Sequence, residues 1–327
     1  SGKISNNIKG LAVGDADGDG DLEIIFITDK KVFVYQKMDG KLKKIAEYKE
    51  KGSADFLKVD MADINRNGKN EIFVTNLREN SLSSIVLEYK DENIEKIADN
   101  LEWFLGVVNF PGEGPVLLGQ TYGDNNPLKG KIYRIKWDSG NYVPSGLEEV
   151  PSGLQIFGFG VLRGEGSREK EFVNLDNDGR LYVYSQNGEE KWKSERTYGS
   201  SEVSFQVASN GSPGSKEKTV FLPMRLVIKD LNNDKKMDII LGKNFYKDKG
   251  LFNRKSICEK GSVYNLQWYG TYMDVRWHTG KLDECVVDYS IADADNDGID
   301  ELVIAVKSGR SYLTFRPKSY ILIYEIS

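Results

Sequence analysis

The feature that most constrains the fold is a nine-residue acidic pattern that recurs along the chain. It reads DADGDGDLE from Asp15, DINRNGKNE from Asp63, DLNNDKKMD from Asp230 and DADNDGIDE from Asp293. Each copy has Asp or Asn at positions 1, 3 and 5 and an acid at position 9. A short apolar run precedes each copy and a β-rich run follows it, so each pattern predicts a loop between two strands. Such repetition is typical of a repeat architecture.

Two degenerate copies fill the gap between the second and third acidic patterns. FLGVVNFPGEGPVLLGQ and IFGFGVLRGEGSREKEFVNL keep the strands and glycines but lose most of the acids. The six copies then begin at positions 15, 63, 109, about 161, 230 and 293. An aromatic-rich third strand and a fourth strand follow most loops, and this period suits a four-stranded propeller blade. The sequence therefore predicts an all-β, six-bladed β-propeller with antiparallel blades.

The two chain ends are predicted to close the ring together. The last copy ends at Ile326 on its third strand, and residues around Ile4 to Ile8 are expected to supply the fourth, which avoids a free sheet edge. VSFQVA and TVFLP, before Asp230, are interpreted as an inserted hairpin, with a seventh, irregular blade as the alternative. The expected blades cover about 8–50, 54–100, 101–150, 154–200, 219–282 and 283–327, within a single domain of residues 1–327.

The acidic loops are predicted to bind a hard cation, because they offer oxygen donors at alternate positions without His or Cys. Calcium is favoured over magnesium, which takes fewer ligands and keeps more water. An EF-hand is excluded, because its position 12 needs Glu, whereas Phe26, Val74, Leu241 and Ile304 occupy it here. Side chains at positions 1, 3, 5 and 9 and the carbonyl at position 7 are the expected ligands. They are Asp15, Asp17, Asp19, Asp21 and Glu23; Asp63, Asn65, Asn67, Lys69 and Glu71; Asp230, Asn232, Asp234, Lys236 and Asp238; and Asp293, Asp295, Asp297, Ile299 and Glu301.

These loops in their strand context resemble FG-GAP/VCBS repeats, the calcium-loop propeller repeats of integrin α-subunits and of many bacterial envelope proteins. The resemblance covers nearly the whole chain and implies about four Ca²⁺ sites. The third and fourth copies depart from the pattern, since only Asn109 and Glu113 remain in one and Arg163 replaces a ligand in the other, so no ion is expected there. The Asp63 loop has the fewest carboxylates and is predicted to bind most weakly. DNDG at Asp176–Gly179 lacks the position-9 acid and predicts a hairpin turn.

The two cysteines, Cys258 and Cys285, match no zinc-binding spacing. Cys258 lies just before the predicted third strand of the fifth blade and Cys285 just after its fourth. These ends are neighbours in an antiparallel hairpin, so a disulfide is predicted, with two unrelated thiols as the alternative. A disulfide and calcium both suit an extracytoplasmic location, namely the periplasm, the outer membrane surface or the secreted fraction.

Composition narrows the possible functions. The 327 residues carry a net charge of −5 with no basic cluster, so no nucleic-acid footprint is visible. No apolar run approaches the roughly 18 residues of a transmembrane helix. His278 is the single histidine, which disfavours His-based catalysis. The abrupt start before the first blade is compatible with a place in a longer polypeptide.

The predicted function is a binding or scaffold module, with a protein as the first choice of partner and an envelope glycan as the second. Candidate contact segments are 121–130, 196–218, 246–260 and 307–318, which vary in length between copies. The alternative is a carbohydrate-binding or carbohydrate-active propeller, a hydrolase or lyase, which as an enzyme needs a carboxylate pair in a cleft. The acids outside the loops, such as Glu102, Glu148 and Glu149, show no such spacing, so no catalytic residue is predicted.

Overall fold

The computed structural model describes residues 2–4, 7–124, 126–163, 169–207, 217–247, 257–308 and 318–326. Strands dominate these residues, and their single helical element is a 3₁₀ turn at Pro127–Lys129. Within the described ranges, no helix has the length and apolar character needed to cross a lipid bilayer.

Six antiparallel blades are arranged in chain order after the short strand β1 (Gly2–Ile4). Blade 1 contains β2 (Gly10–Gly14), β3 (Glu23–Ile27), β4 (Lys31–Met38) and β5 (Lys41–Lys49). Blade 2 contains β6 (Asp55–Ala62), β7 (Glu71–Arg78), the accessory β8 (Ser81–Leu82), β9 (Ser84–Lys90) and β10 (Asn93–Leu101). Blade 3 contains β11 (Phe104–Phe110), β12 (Gly114–Gln120), β13 (Ile132–Asp138) and β14 (Asn141–Leu147).

The second half of the ring repeats this meander. Blade 4 contains β15 (Phe159–Arg163), β16 (Lys170–Leu175), β17 (Arg180–Ser185) and β18 (Glu190–Thr197), and a separate hairpin, β19 (Ser204–Val207) and β20 (Lys218–Phe221), follows it. Blade 5 contains β21 (Val227–Lys229), β22 (Asp238–Lys247), β23 (Ile257–Trp268) and β24 (Met273–His278). Blade 6 contains β25 (Glu284–Ala292), β26 (Glu301–Ser308) and β27 (Ser319–Glu325).

The N-terminal strand completes blade 6. β1 pairs antiparallel with β27, with Gly2 opposite Ile321 and Ile4 opposite Ser319. The predicted ring closure by strands from both ends of the chain is thereby confirmed, and so are the six blades, although the closing strand is Gly2–Ile4 rather than the residues around Ile4 to Ile8. The extra strands before Asp230 form a two-stranded hairpin rather than a seventh blade.

The inserted hairpin is built into the core. Val203, Phe205 and Val220 are buried and belong to one apolar cluster with Leu11 and Phe104, which lie on the innermost strands of blades 1 and 3. The ring centroids of Phe104 and Phe205 are 6.0 Å apart. Only the opposite side of the hairpin is open, with Phe221 54% exposed. The segment 196–218, expected at the surface, therefore contributes largely to packing where it is described.

The up-and-down meander divides the connections between two faces of the ring. Loops after the first and third strands of a blade reach one face, which we call the acidic face because it carries the four patterns. Connections after the second and fourth strands reach the opposite, insertion face. For example, Phe56 N–H, at the start of blade 2, donates to the Asp29 carbonyl in the β3–β4 loop at 2.8 Å. The described residues of the four predicted contact segments lie on this insertion face, and residues 125, 208–216, 248–256 and 309–317 of those segments are outside the described residues.

Candidate metal centre

All four acidic loops share one backbone conformation. Positions 4 and 6 have positive φ in every copy, at Gly18 and Gly20, Arg66 and Gly68, Asn233 and Lys235, and Asn296 and Gly298. The position-1 Asp accepts backbone N–H groups across the turn, as Asp15 does from Gly18 (2.6 Å) and Gly20 (3.1 Å). Small or polar residues favour such left-handed turns, which fold the loop around the side chain of position 1.

The position-9 acid begins the second strand and is buried in each blade. One of its oxygens accepts the N–H of position 2, at 2.8 Å for Glu23, 2.7 Å for Glu71, 3.0 Å for Asp238 and 2.8 Å for Glu301. This bond fixes the carboxylate beneath the loop. What the second oxygen meets differs between the blades, and that difference separates the four candidate sites.

The blade 6 loop brings its four predicted side-chain ligands together. Single carboxylate oxygens of Asp293, Asp295, Asp297 and Glu301 all lie within 4.8 Å of one another. Asp295 Oδ1 and Glu301 Oε1 are buried without a hydrogen-bond partner among the described residues. Burial raises the pKa of Glu301, and the charges of the three aspartates raise it further. Lys37 of blade 1 forms an ion pair with Asp295.

The blade 1 loop is similar. Oxygens of Asp15, Asp17 and Asp19 lie within 4.8 Å of one another. Glu23 is 0% exposed, and its Oε1 has no partner among the residues described. Burial, reinforced by the charges of the three aspartates, raises the pKa of Glu23 to about 8. Asp21, at position 7, has an exposed side chain.

In the blade 2 loop, the position-9 acid Glu71 already has hydrogen-bond donors for both oxygens. Glu71 Oε1 accepts the hydroxyl of Tyr142 from blade 3 at 2.6 Å and the backbone N–H of Asn65 at 3.0 Å. The side-chain amides of Asn65 and Asn67 both donate to Glu88 Oε2, at 3.1 and 2.6 Å. Both oxygens of Glu71 thus already accept hydrogen bonds from the protein. Lys69, at position 7, directs its ammonium towards the Tyr89 carbonyl at 3.5 Å.

The blade 5 loop is intermediate. Asp234 Oδ2 accepts the amides of Asn232 and Gln267, each at 3.2 Å. The Lys236 N–H, followed by these amides, holds the pKa of Asp234 below its ordinary value. Burial raises the pKa of Asp238. Because some of its carboxylate oxygens already accept hydrogen bonds, this loop has fewer oxygens available for a cation than the loops of blades 1 and 6 have.

The first and last loops meet at the seam where the ring closes. Leu22 N–H of blade 1 donates to Asn296 Oδ1 of blade 6 at 2.7 Å, and Lys37 adds its ion pair to Asp295. The next loop is also linked, since Asn70 N–H donates to the Asp15 carbonyl at 2.8 Å. The two best-formed carboxylate clusters therefore sit side by side.

Comparison with protein families agrees with this strand–loop–strand geometry. Residues 5–74, which include the first two acidic loops, match the FG-GAP-like repeat family. This part of the six-bladed β-propeller is therefore similar to FG-GAP-like repeats. Two solved structures that this propeller resembles are those of BBS1N in complex with ARL6DN, soaked with lead and with mercury. Their TM-scores are 0.45 and 0.44 and their identities 11% and 14%; the matches cover 99% of this chain in both cases and 96% and 93% of those chains. No curated protein matches this sequence.

In the degenerate third copy, basic side chains pair with the remaining acid, Glu113. Its strands are joined by a tight turn, and Glu113 is bound by Arg134 Nη1 at 2.6 Å and Lys170 Nζ at 3.1 Å. These bonds hold the pKa of Glu113 at about 2. Asn109 lies within β11, opposite Pro115. In the fourth copy Arg163 ends β15, and residues 164–168 lie outside the described residues.

The disulfide is present but joins different elements from those expected. Cys258 and Cys285 are bonded, with Cα atoms 6.1 Å apart. Cys258 lies within β23 of blade 5, whereas Cys285 lies in β25, the innermost strand of blade 6. The interpretation as a link within one hairpin was wrong, because blade 6 starts at once after β24. The bond connects two neighbouring blades.

A buried charge network near the axis was missed by sequence reasoning. Arg225 donates to Asp288 Oδ1 at 2.7 Å and to Asp60 Oδ1 at 2.7 Å, and Lys58 Nζ lies 2.9 Å from Asp288 Oδ1. Burial opposes ionisation of Asp288, but Arg225 and Lys58 outweigh it and hold its pKa at about 2. Arg225 also donates to the Leu11 carbonyl at 2.9 Å, so the network joins blades 1, 2 and 6.

Proposed function

We propose that this FG-GAP propeller is a calcium-stabilised protein-interaction or scaffold module of the cell envelope or extracellular space. The observation that carries the calcium assignment is the pair of buried, unpartnered oxygens, Glu23 Oε1 and Glu301 Oε1, each beneath a carboxylate cluster. A buried charge without a partner is costly, and crowded carboxylates repel one another. A hard cation with oxygen ligands removes both penalties.

The expected affinity of the four loops for calcium follows the number of ligand oxygens that accept no hydrogen bond within the protein. Loops of blades 1 and 6 bind first, the blade 5 loop binds more weakly, and the blade 2 loop is the weakest because the Tyr142 hydroxyl and the Asn65 N–H already donate to Glu71 Oε1. At a free calcium concentration of one hundred times Kd, each occupied site stabilises the fold by about 2.7 kcal/mol. The ions act on stability and take no part in a reaction.

The partner surface is the insertion face, and the partner is a protein. Phe221 projects from the inserted hairpin, and Tyr122 is exposed where it stacks against Phe104, with ring centroids 6.1 Å apart. Exposed aromatic side chains are enriched at protein interfaces. The interblade disulfide supports an extracytoplasmic location, where such bonds persist.

A glycan is the second candidate partner. Tyr272 is exposed and stacks on Tyr269 at a centroid distance of 4.9 Å, while the Lys236 ammonium lies 4.7 Å from the Tyr269 ring centroid. Such a platform suits the stacking of a sugar ring. It supports binding rather than turnover, so the proposed role is non-enzymatic.

Thermal unfolding with and without chelator, combined with calcium titration by calorimetry, tests the proposal. Calcium is expected to raise the Tm, and Glu301→Gln is expected to remove one tight ion while Glu88→Gln, beside the blade 2 loop, removes none. Equal Tm values with and without calcium would contradict the calcium role. Capture of an envelope protein that Phe221→Asp abolishes supports the interaction role, whereas hydrolysis of an envelope polysaccharide would overturn it.

A further inference from the structure

Two lysines of blade 5 lack an acidic partner on the insertion face. Lys243 lies in β22, the second strand, and Lys281 lies in the connection that follows β24. Their ammonium groups lie 5.3 and 4.7 Å from the centroid of the same ring, that of Phe245. Among the residues the structure describes, neither ammonium forms an ion pair or a hydrogen bond. The ring positions both charges without neutralising them.

The surroundings of Lys243 make its positive charge costly. The residue is half-buried where the chain beyond β18 pairs with β22, and its ammonium is also 5.9 Å from the centroid of the Tyr198 ring. Burial lowers the pKa of Lys243, and the like charges of Arg196 and Lys281 lower it further. An anion that reaches this ammonium offsets both effects, because a partner of opposite charge favours the ionised form.

Carboxylates in the same stretches of chain already have other partners. Asp283, in the connection that holds Lys281, pairs with Lys260 Nζ at 3.1 Å. Glu202, in the segment that follows β18, accepts the hydroxyl of Tyr246 at 2.6 Å. The two ammonium groups over the aromatic ring are therefore available for an anion from outside the chain.

We propose that Lys243 and Lys281 bind the carboxylates of an acidic segment of a partner protein. Hydrogen bonds between ammonium and carboxylate groups are stronger than neutral ones, and complementary charge selects between partners. Both cations lie over Phe245, so this ring is engaged by charge, whereas the exposed Tyr272 is open to the stacking of a sugar. An acidic peptide therefore fits this pair better than a glycan does. The inference rests on the proposed interaction role of the insertion face and names the chemistry of the partner there.

Binding of a fluorescent, capped hexapeptide GEDEDG to the full chain, measured by anisotropy at low ionic strength with saturating calcium, tests the inference. Saturable binding is expected, and added salt should weaken it because the site is partly open to solvent. The uncharged peptide GQNQNG should not bind. Lys243→Gln and Lys281→Gln should each weaken the binding of GEDEDG at least tenfold. Lys51→Gln, which removes an exposed lysine from the connection between β5 and β6 on the same face, is the matched control and should leave binding unchanged.

Further variants and a second ligand separate the alternatives. Lys281 is exposed, so its variants keep the test independent of how the fold tolerates a change at Lys243. Lys281→Arg keeps the charge and should keep most of the binding. No saturable binding of GEDEDG to the native chain, or equal binding to both glutamine variants, would overturn the inference, as would tighter binding of a uronate hexasaccharide at the same two lysines. If GEDEDG fails to bind while Phe221→Asp still abolishes capture of an envelope protein, the interaction role stands and only the acidic-segment assignment fails.

Discussion

Replacement of Arg225 by Met should be among the most damaging single substitutions in this propeller. The guanidinium donates to both oxygens of Asp288, to Asp60 and to the carbonyls of Leu11 and Val59, at 2.7–2.9 Å. Methionine fills much of the same space but makes none of these bonds. The substitution therefore tests the charge network rather than packing.

The expected loss of stability depends on the hydrogen-bond partners that Asp288 and Asp60 keep after Arg225 is replaced. Asp288 keeps Lys58 and the Leu11 N–H, whereas Asp60 keeps the Val107 N–H at 3.1 Å. Removing one member of a buried ion pair costs about 3–5 kcal/mol, because the other charge is left uncompensated. With 327 residues and an unfolding entropy of about 2.1 cal/mol/K per residue, the Tm should fall by about 4–7 °C.

Differential scanning calorimetry at pH 7 measures this loss, with Arg196→Met as the matched control. Arg196 has an exposed side chain, so its variant should lie within about 0.5 kcal/mol of the native protein. Adding Asp60→Asn to Arg225→Met removes the stranded charge and should recover part of the loss. If Arg225→Met lowered the Tm no more than Arg196→Met, the network would not stabilise the fold and the reasoning would be refuted.

Three further outcomes are expected. Tyr142→Phe removes the hydroxyl that donates to buried Glu71 and should lower the unfolding free energy by about 1–3 kcal/mol. The number of tightly bound calcium ions, counted by equilibrium dialysis, should stay the same. Loss of a tight ion would contradict the ranking of the loops. Replacing Cys258 and Cys285 by Ser removes the disulfide, whose two cysteines are 27 residues apart in the sequence. By chain entropy this should cost about 3.5 kcal/mol in urea unfolding without reductant, and no change on reduction of the native protein would refute it. Because the folded pKa of Asp288 is about 2, below its unfolded value of about 3.9, its contribution is present above pH 4 and lost as pH falls towards 2. The stability gap between native protein and Asp288→Asn, measured by urea unfolding, should therefore narrow from pH 5 to pH 3, and a constant gap would count against the assignment.

The repeat could be predicted because its signals are local. Strand–loop–strand spacing and the acid at position 9 depend on residues within one copy, and the loops from Asp15 and Asp293 fold as carboxylate clusters. The last strand lacked a partner in its own repeat, which pointed to the N-terminal residues that now pair with β27.

The differences between copies could not be predicted, since they depend on side chains from other blades. Glu71 is satisfied by Tyr142, 71 residues away, and no pattern within the second copy indicates that contact. Arg225 lies 165 residues from Asp60 and two residues before β21. Counting carboxylates placed the Asp63 loop last in affinity, but only the tertiary contacts show which donors already serve its acid.

The three-residue pairing of β1 with β27 has a mechanical consequence. In this antiparallel register, the start of β1 at Gly2 lies towards the same end as the finish of β27 at Glu325. Tension applied through the two chain ends therefore loads the pairs one after another, as in opening a zipper, instead of shearing all of them together. The disulfide fastens blade 6 to blade 5, whereas blade 6 has no disulfide to blade 1. Under load the three β1–β27 pairs should therefore open before the disulfide-linked contact between blades 5 and 6.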